Sequence, residues 1–394
     1  MNLSPLIAEV VEPVIVDVNR RAAERRRQGR EVLDLGQGVP DLTPPEDCLA
    51  VLRHRLAEPQ IHRYAPDPGL PELREAVAED LRRRTGVEID PSAEVIVTVG
   101  ANHAFCQAAL TCLGPGAAVA LPTPAHFNHP MALQMLGFRT VEWPMRLEKG
   151  AFRLDLDALP TLAAAGVRGV VCVNPNNPTG AVYPREDVRR LVEWVRDHGL
   201  TLFYDEVYHL LDFSGLPAPH PFQVDGGREC TVILGSFSKV FGMTGWRVGY
   251  LAAPAAAVRE MLKVQDTLVI CAPRPAQVLA VECLRRHPDF PAGYRQALRQ
   301  RAAFLAGAFA GVPGVTWHPP SGAIFGMLGV TGCRDSRALG LDLLEAEGVV
   351  TIPGAAFGPA GEGMLRVSFG FADEAVLGEA CVRIGRRLEA HRSR

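Results

Sequence analysis

Short apolar, β-branched runs alternate along the middle of the chain with stretches in which apolar residues recur every three or four positions. EVIVTVG, from Glu94, leads straight into ANHAFCQAALTCLG, a strand pattern passing into a helical one. The strand pattern AAVALP follows, then the helical HPMALQMLG and the strand FRTVEW. Further on, VRGVVCV runs into a loop, the helical REDVRRLVEWVRDHG and the strand LTLFYDE, and TVILGSFSK and WRVGYLAAP close the series. Strands alternating with helices of about ten to fifteen residues predict an α/β fold whose mostly parallel sheet is sandwiched by helices. In such sheets ligands sit beyond the carboxyl ends of the strands. The loops that follow these strands are where chemistry is expected.

The two ends of the chain read differently. Before about Cys48 lie an Arg-rich helical stretch, NRRAAERRRQGR, and a Gly/Pro loop. Beyond about Arg285 come helices, the run GVTWHPPSGAIFGML, the loop IPGAAFG and the strand MLRVSFG. Strands beside helices without regular alternation predict a smaller α+β domain formed by both termini, residues 1–47 and 286–394, beside a large domain over 48–285. No repeat at a solenoid period and no low-complexity segment interrupts this plan.

Composition narrows the classes. With 394 residues, 47% of them hydrophobic and 22% charged, the chain has the length and makeup of a globular protein of two or three domains. Forty-one Lys and Arg against forty-four Asp and Glu give a net charge of −3, so no basic field for a nucleic-acid partner exists. Nine cysteines, an odd number without C-x-x-C or paired Cys/His spacing, read as reduced thiols, and no metal site is expected. The N-terminal stretch MNLSPLIAEVVEPVIVDV carries Glu9, Glu12 and Asp17 and lacks the basic-then-apolar order of a signal peptide. No uninterrupted apolar run reaches the roughly 18 residues of a membrane span. A cytoplasmic protein is expected. The basic residues are skewed, for only Lys149, Lys239 and Lys263 are lysines.

Four loops stand out, each after a predicted strand. In the first, Gly100, Ala101 and Asn102 turn a strand directly into a helix. Free backbone N–H groups there, backed by the helix dipole, suit a phosphate, although a plain tight turn would look the same. The second, NPNNPTG (Asn174 to Gly180), is a loop stiffened by two prolines that presents the Asn176 and Asn177 side chains. The third is YDEVY, Tyr204 to Tyr208. Its Asp205, at a strand end, suits a metal, an arginine or a heteroaromatic N–H, or simply caps a helix. The fourth, SFSKVFGMTGWRVGY, holds Ser236, Ser238, Lys239 and Arg247. A desolvated lysine amine is a nucleophile toward carbonyls, although Lys239 alone also reads as a surface lysine, and the hydroxyls with Arg247 suit a phosphate dianion.

A phosphate cradle, an imine-forming amine, an acid for a ring nitrogen and an Asn/Tyr pair for a phenolate together describe pyridoxal phosphate. The chain resembles the fold type I pyridoxal-phosphate enzymes of the class I/II aminotransferase family through GxPD, Y-x-P-x-x-G, GAN, NPNNPTG, YDEVY, SFSK, GWRVG and RVSFG, in that order over nearly its whole length. The resemblance implies a Schiff base between Lys239 and pyridoxal 5'-phosphate, with Lys239 then carrying the Cα proton. It implies that Asp205 keeps the pyridine nitrogen protonated, so that a quinonoid can form. Asn177 and Tyr208 match the pair on the phenolate oxygen, and Ala101, Asn102, Ser236 and Arg247 match phosphate contacts. Tyr64 matches a tyrosine that reaches the neighbouring subunit's phosphate, which implies a homodimer. Gly38 and Arg366 match the groups that hold the substrate carboxylate, so an α-amino acid and a 2-oxoacid are the implied substrates.

The chain departs from the family in one segment. PTPAHFNHP puts His126, or Phe127 if the register slips by one, where the family stacks an aromatic ring on the cofactor. An imidazole there serves as a flat ring or as a proton-transfer group. His129 is expected on the helix surface, His103 faces either the cofactor or, as favoured, the helix exterior, and Arg274 is either a surface arginine or a second carboxylate ligand. An aminotransferase is the favoured reading. The alternatives are β-elimination as a carbon–sulfur lyase, β-replacement, cyclisation or decarboxylation on the same scaffold. A cofactor-binding regulator is disfavoured by the acidic charge and the missing DNA-binding extension, and a nicotinamide dehydrogenase by the absence of G-x-G-x-x-G after any predicted strand.

Overall fold

The computed structural model describes residues 1–10 and 14–392; Glu12, Ser393 and Arg394 lie outside them. In chain order the strands begin with β1 (Leu33–Asp34), β2 (Val95–Thr98), β3 (Ala118–Thr123), β4 (Arg139–Pro144), β5 (Arg146–Glu148) and β6 (Ala151–Arg153). Then come β7 (Val167–Val173), β8 (Thr201–Asp205), β9 (Thr231–Ser236) and β10 (Gly249–Ala252). The last are β11 (Val315–His318), β12 (Phe325–Val330), β13 (Val349–Val350), β14 (Ile352–Pro353) and β15 (Met364–Ser368).

Seven strands form the main sheet in the order β2-β10-β9-β8-β7-β3-β4. Neighbours pair in parallel from β9 through β4, and only β10 runs against its neighbours β9 and β2. The inner strands are buried almost without interruption because helices cover both faces. Alternate residues of one strand enter opposite cores: Leu202 and Tyr204 of β8 pack on one face, Phe203 on the other. The helix Arg185–Asp197 buries Val188, Leu191, Val192 and Val195, the three-and-four spacing of an amphipathic helix, against one of these faces.

A second, antiparallel sheet, β11-β12-β15-β14, is built from the C-terminal third, and β1 near the N-terminus pairs in parallel with β13. Both chain ends therefore meet around this sheet, with a core of their own that includes Leu33, Leu35, Leu298, Leu305, Val349 and Leu365. The fold is the α/β arrangement with a parallel-rich sheet and a smaller α+β part that the pattern predicts. The carboxyl ends of β2, β3, β7, β8 and β9 share one edge of the main sheet, and the antiparallel β10 starts at that same edge.

Candidate functional site

At that edge lies a cavity of about 250 Å³ whose lining includes Gly38, Ala101, Asn102, His126, Asn177, Asp205, Tyr208, Ser236, Lys239, Arg247 and Arg366. Each strand delivers its group by ending. Beyond β2 the chain enters the helix Gly100–Cys112, whose first turn supplies Ala101 and Asn102. Gly100 adopts φ +76°, and a Cβ there would come within 2.7 Å of the Arg247 guanidinium, so glycine is required for Arg247 to lie over this turn. Arg247 itself sits in the left-handed region, at φ 52°, and its guanidinium donates to the Thr244 carbonyl at 3.1 Å.

After β9, the Ser236 hydroxyl accepts the Ser238 N–H at 3.1 Å and caps the short helix Phe237–Val240 that carries Lys239. The Lys239 ammonium donates to the Gly38 carbonyl at 2.6 Å, tying the main sheet to the N-terminal loop. Burial, with the Arg366 and Arg247 charges nearby, pushes the amine down to about 8. β8 ends at Asp205, which is buried; its Oδ1 accepts the Val207 N–H at 3.1 Å. In the loop after β7, Asn174 donates to the Tyr204 hydroxyl at 2.7 Å and accepts the Tyr183 N–H at 3.0 Å, which fixes the loop and aims Asn177 inward.

Arg366, on β15, brings a guanidinium from the second sheet into the cavity. It donates to the Gly36 carbonyl at 2.8 Å and to the Asn177 side-chain oxygen at 3.2 Å, and lies over the rings of Phe325 and Phe357 at 4.9 and 5.1 Å. No carboxylate pairs with it among the described residues, and burial pulls it down to about 10 while the Tyr208 hydroxyl works the other way. Its Nε is buried without a hydrogen-bond partner among the described residues. A buried cation with an unspent donor is a site waiting for an anion. Tyr208 is buried against Phe325 and its hydroxyl is pushed up by burial, so it stays a neutral donor.

Two expectations change, those for His129 and His103, and of the two readings of Arg274 the surface one holds. His129 is not on the helix surface: it is 3% exposed, its Nε2 lies 3.3 Å from Asp205 Oδ2, and its ring meets Phe105 edge-on at 4.7 Å. The helix Asn128–Met135 starts right beside β8, so its first turn faces the sheet edge rather than water. Its spacing of three from His126 was the only signal in the chain, and Asp205 lies too far along to be seen as its neighbour. His103 caps its own helix, its Nδ1 accepting the Val99 N–H at 3.2 Å, and is half-buried instead of exterior. Arg274 donates to the backbone carbonyls of Arg63 and Tyr64, at 3.2 and 2.5 Å, and so supports the Tyr64 loop. Tyr64 is 74% exposed and does not line the cavity. Thr244, Asn128, Val207 and Ile15 line it without having been singled out, since nothing in their local sequence marks them.

His126 and Phe127 both line the cavity, with ring centroids 5.0 Å apart. Burial, and then the charges of His129, Arg366 and Lys239, hold the His126 imidazole well below its ordinary range, so it is neutral.

Residues 30–384 match the model of the family described as aminotransferase class I and II. The chain belongs to that family. It is 34% identical to an aspartate aminotransferase of Pyrococcus abyssi, over 88% of this chain and 89% of that one. It is 29% identical to an LL-diaminopimelate aminotransferase of Dehalococcoides mccartyi, over 95% and 96% of the two chains. A mutant aspartate aminotransferase of Thermus thermophilus superposes with a TM-score of 0.91 at 32% identity, covering 98% of this chain and 99% of that one.

The enzyme is a pyridoxal-phosphate-dependent aminotransferase. The cavity's donor set fits the cofactor. Lys239, Arg247 and Arg366 are its cations and Asp205 its carboxylate, a positive balance suited to a phosphate dianion and a substrate carboxylate. The first turn of the helix Gly100–Cys112, with Ser236, Ser238 and Arg247, offers a phosphate end. Among the described residues, no helix is long and apolar enough to cross a membrane.

Proposed function

We propose that this aminotransferase moves an amino group between an α-amino acid and a 2-oxoacid, with Lys239 as covalent anchor and proton carrier. The observation that carries the reading is one cavity holding a lysine amine lowered to about 8, a buried carboxylate and a buried, uncompensated guanidinium. When bound, pyridoxal phosphate supplies an aldehyde for amines and a ring that takes up the electron pair left at Cα. Lys239 removes the Cα proton and returns it, which its lowered affinity for protons allows near neutral pH. Asp205 accepts the ring N–H, and its bond to the Val207 N–H keeps the carboxylate oriented. Asn177 and the neutral Tyr208 donate to the ring's oxygen. Ala101, Asn102, Ser236 and Arg247 hold the phosphate, and His126 gives the ring a flat neighbour. Arg366 grips the α-carboxylate as a bidentate fork, with Gly38 beside it.

Tyr64, exposed and held by Arg274, suits service in a second subunit's site, and we place it there in a homodimer. We assign residues 48–285 to the cofactor-binding domain and 1–47 with 286–394 to the smaller one. A cytoplasmic setting accords with nine cysteines that form no disulfide.

Arg366→Lys should raise KM for the amino acid by about 10–100-fold with a smaller fall in kcat, because a point charge replaces one charge-assisted fork worth about 1.5–3 kcal/mol. Steady-state kinetics read this, and an unchanged KM would remove Arg366 from the substrate site.

The reaction itself is tested by product analysis over a panel of amino acids, with and without 2-oxoglutarate. Strict dependence on the acceptor is expected. Pyruvate or ammonia released without it would replace this reading by β-elimination. One observation favours that second reading: the Nδ1 of His126 is buried without a hydrogen-bond partner among the described residues, a group able to exchange a proton over the substrate.

A further inference from the structure

Away from the catalytic cavity, the helix Glu46–Arg55 packs against the helix Arg274–Arg286. At one end of this contact stand Asp47, exposed, and Cys48, wholly buried, in the first turn of one helix, with half-buried His287 just past the end of the other. The His287 Nε2 lies 2.8 and 3.0 Å from the two Asp47 carboxylate oxygens. One carboxylate oxygen, one imidazole nitrogen and the Cys48 sulfur all lie within 4.8 Å of one another. None of the three lines the catalytic cavity.

We infer that Asp47, Cys48 and His287 are three ligands of a single divalent cation of the zinc class, with water as the fourth. The donor set decides the class: a sulfur and an imidazole beside one carboxylate suit zinc or cobalt, whereas magnesium and calcium take oxygen donors. Zinc bonds of about 2.0–2.3 Å put tetrahedral donors about 3.3–3.8 Å apart, so the three atoms reach that geometry with side-chain movements of about 1 Å or less. The exposed Asp47 side leaves a path for the ion and room for the water.

The charges also balance. Binding releases the Cys48 thiol proton to solvent as the sulfur–metal bond forms, and the thiolate and the Asp47 carboxylate then cancel the two charges of the ion. His287 binds as the neutral ring. Cys283 sits one helical turn before His287 and so supports the Cys48 sulfur from the protein side. The charged neighbour that opposes the ion is Arg286, 3.8 Å from Asp47. Its guanidinium is already engaged by Glu282 at 2.7 Å.

Such a clamp would join two segments that lead to the active site. One begins shortly after Gly38, whose carbonyl receives the Lys239 ammonium, and the other begins at Arg274, which holds the Tyr64 loop. The chain gave no hint of it, since Asp47 and Cys48 meet His287 only through the packing of the two helices.

The test uses the holoenzyme, stripped by chelator and titrated with Co²⁺. About one equivalent per chain should bind with visible bands of a tetrahedral, sulfur-containing site, in the red beyond the cofactor's absorption, and Zn²⁺ should displace it and raise the thermal midpoint. Cys48→Ser, and the less buried His287→Ala checked for folding by circular dichroism, should each weaken Co²⁺ binding at least about 100-fold. Absence of saturable binding overturns the inference. So does binding that persists unchanged in His287→Ala, or a Cys48–Cys283 disulfide in the purified holoenzyme.

Discussion

Lys239→Ala should lower turnover by at least about 10⁴-fold and abolish the visible absorption of the lysine-bound cofactor, while the cofactor itself stays associated through its phosphate end. Two roles are lost together, the covalent anchor and the group that carries the Cα proton, and none of the other cavity residues supplies an amine. Lys239→Arg should fare no better, because a guanidinium keeps its proton at any working pH. The wild-type amine has a further signature. Burial and two nearby guanidiniums favour its neutral form, so the rate at which stripped enzyme captures added cofactor should rise with pH through about 8 rather than through the ordinary lysine range near 10.5. Rapid-mixing absorbance reads that rate, and single-turnover assays read the loss. Turnover in Lys239→Ala within about tenfold of wild type would end the assignment of Lys239.

What the chain disclosed about its site and what it concealed divide along a physical line. Groups delivered by the ends of strands were legible, because strand-then-loop order places them at one sheet edge whatever the details of packing. Asn177, Asp205, Ser236 and Lys239 are of this kind, and all four line the cavity. Arg366 was found only through a resemblance; its position depends on a second sheet pressed against the first, and its contacts with Phe325 and Phe357 belong to that packing. His129 was misplaced because a short helix beside a sheet edge has no exposed side in the direction that mattered. Helix and strand patterns state which residues turn inward, and they are silent about which distant element waits there. The same silence hid a buried polar network in the interior.

That feature is a charge network directly behind Asp205, and its removal should be the most damaging single change to stability. Arg84, whose side chain is buried beneath the helix Pro71–Thr85, donates to both carboxylate oxygens of Glu206 at 2.8 and 3.1 Å and to Asp80 at 2.8 Å. Glu206 also accepts from the Tyr250 hydroxyl at 2.7 Å and lies 3.3 Å from His220. Burial alone would raise the Glu206 carboxyl, but Arg84 and His220 hold it well below its ordinary range. Arg84→Met strands the buried Glu206 without its guanidinium and leaves Asp80 with only the half-exposed Arg83, at a cost of about 3–5 kcal/mol at neutral pH. The pH dependence identifies the cause. In the wild type a depressed Glu206 contributes stability above the usual carboxylate pKa and loses it as pH falls through its lower folded value. In the variant burial is left to raise that carboxyl, so the penalty is present at neutral pH and fades as acid protonates the group. The deficit relative to wild type should therefore shrink toward pH 4. Arg84→Met with Glu206→Gln should recover part of it, because no charge at position 206 then remains to be desolvated. Denaturant unfolding at pH 7.5 and pH 4.5 measures both effects. A deficit of the same size at both pH values would mean that Arg84 acts through packing and not through the carboxylates it faces.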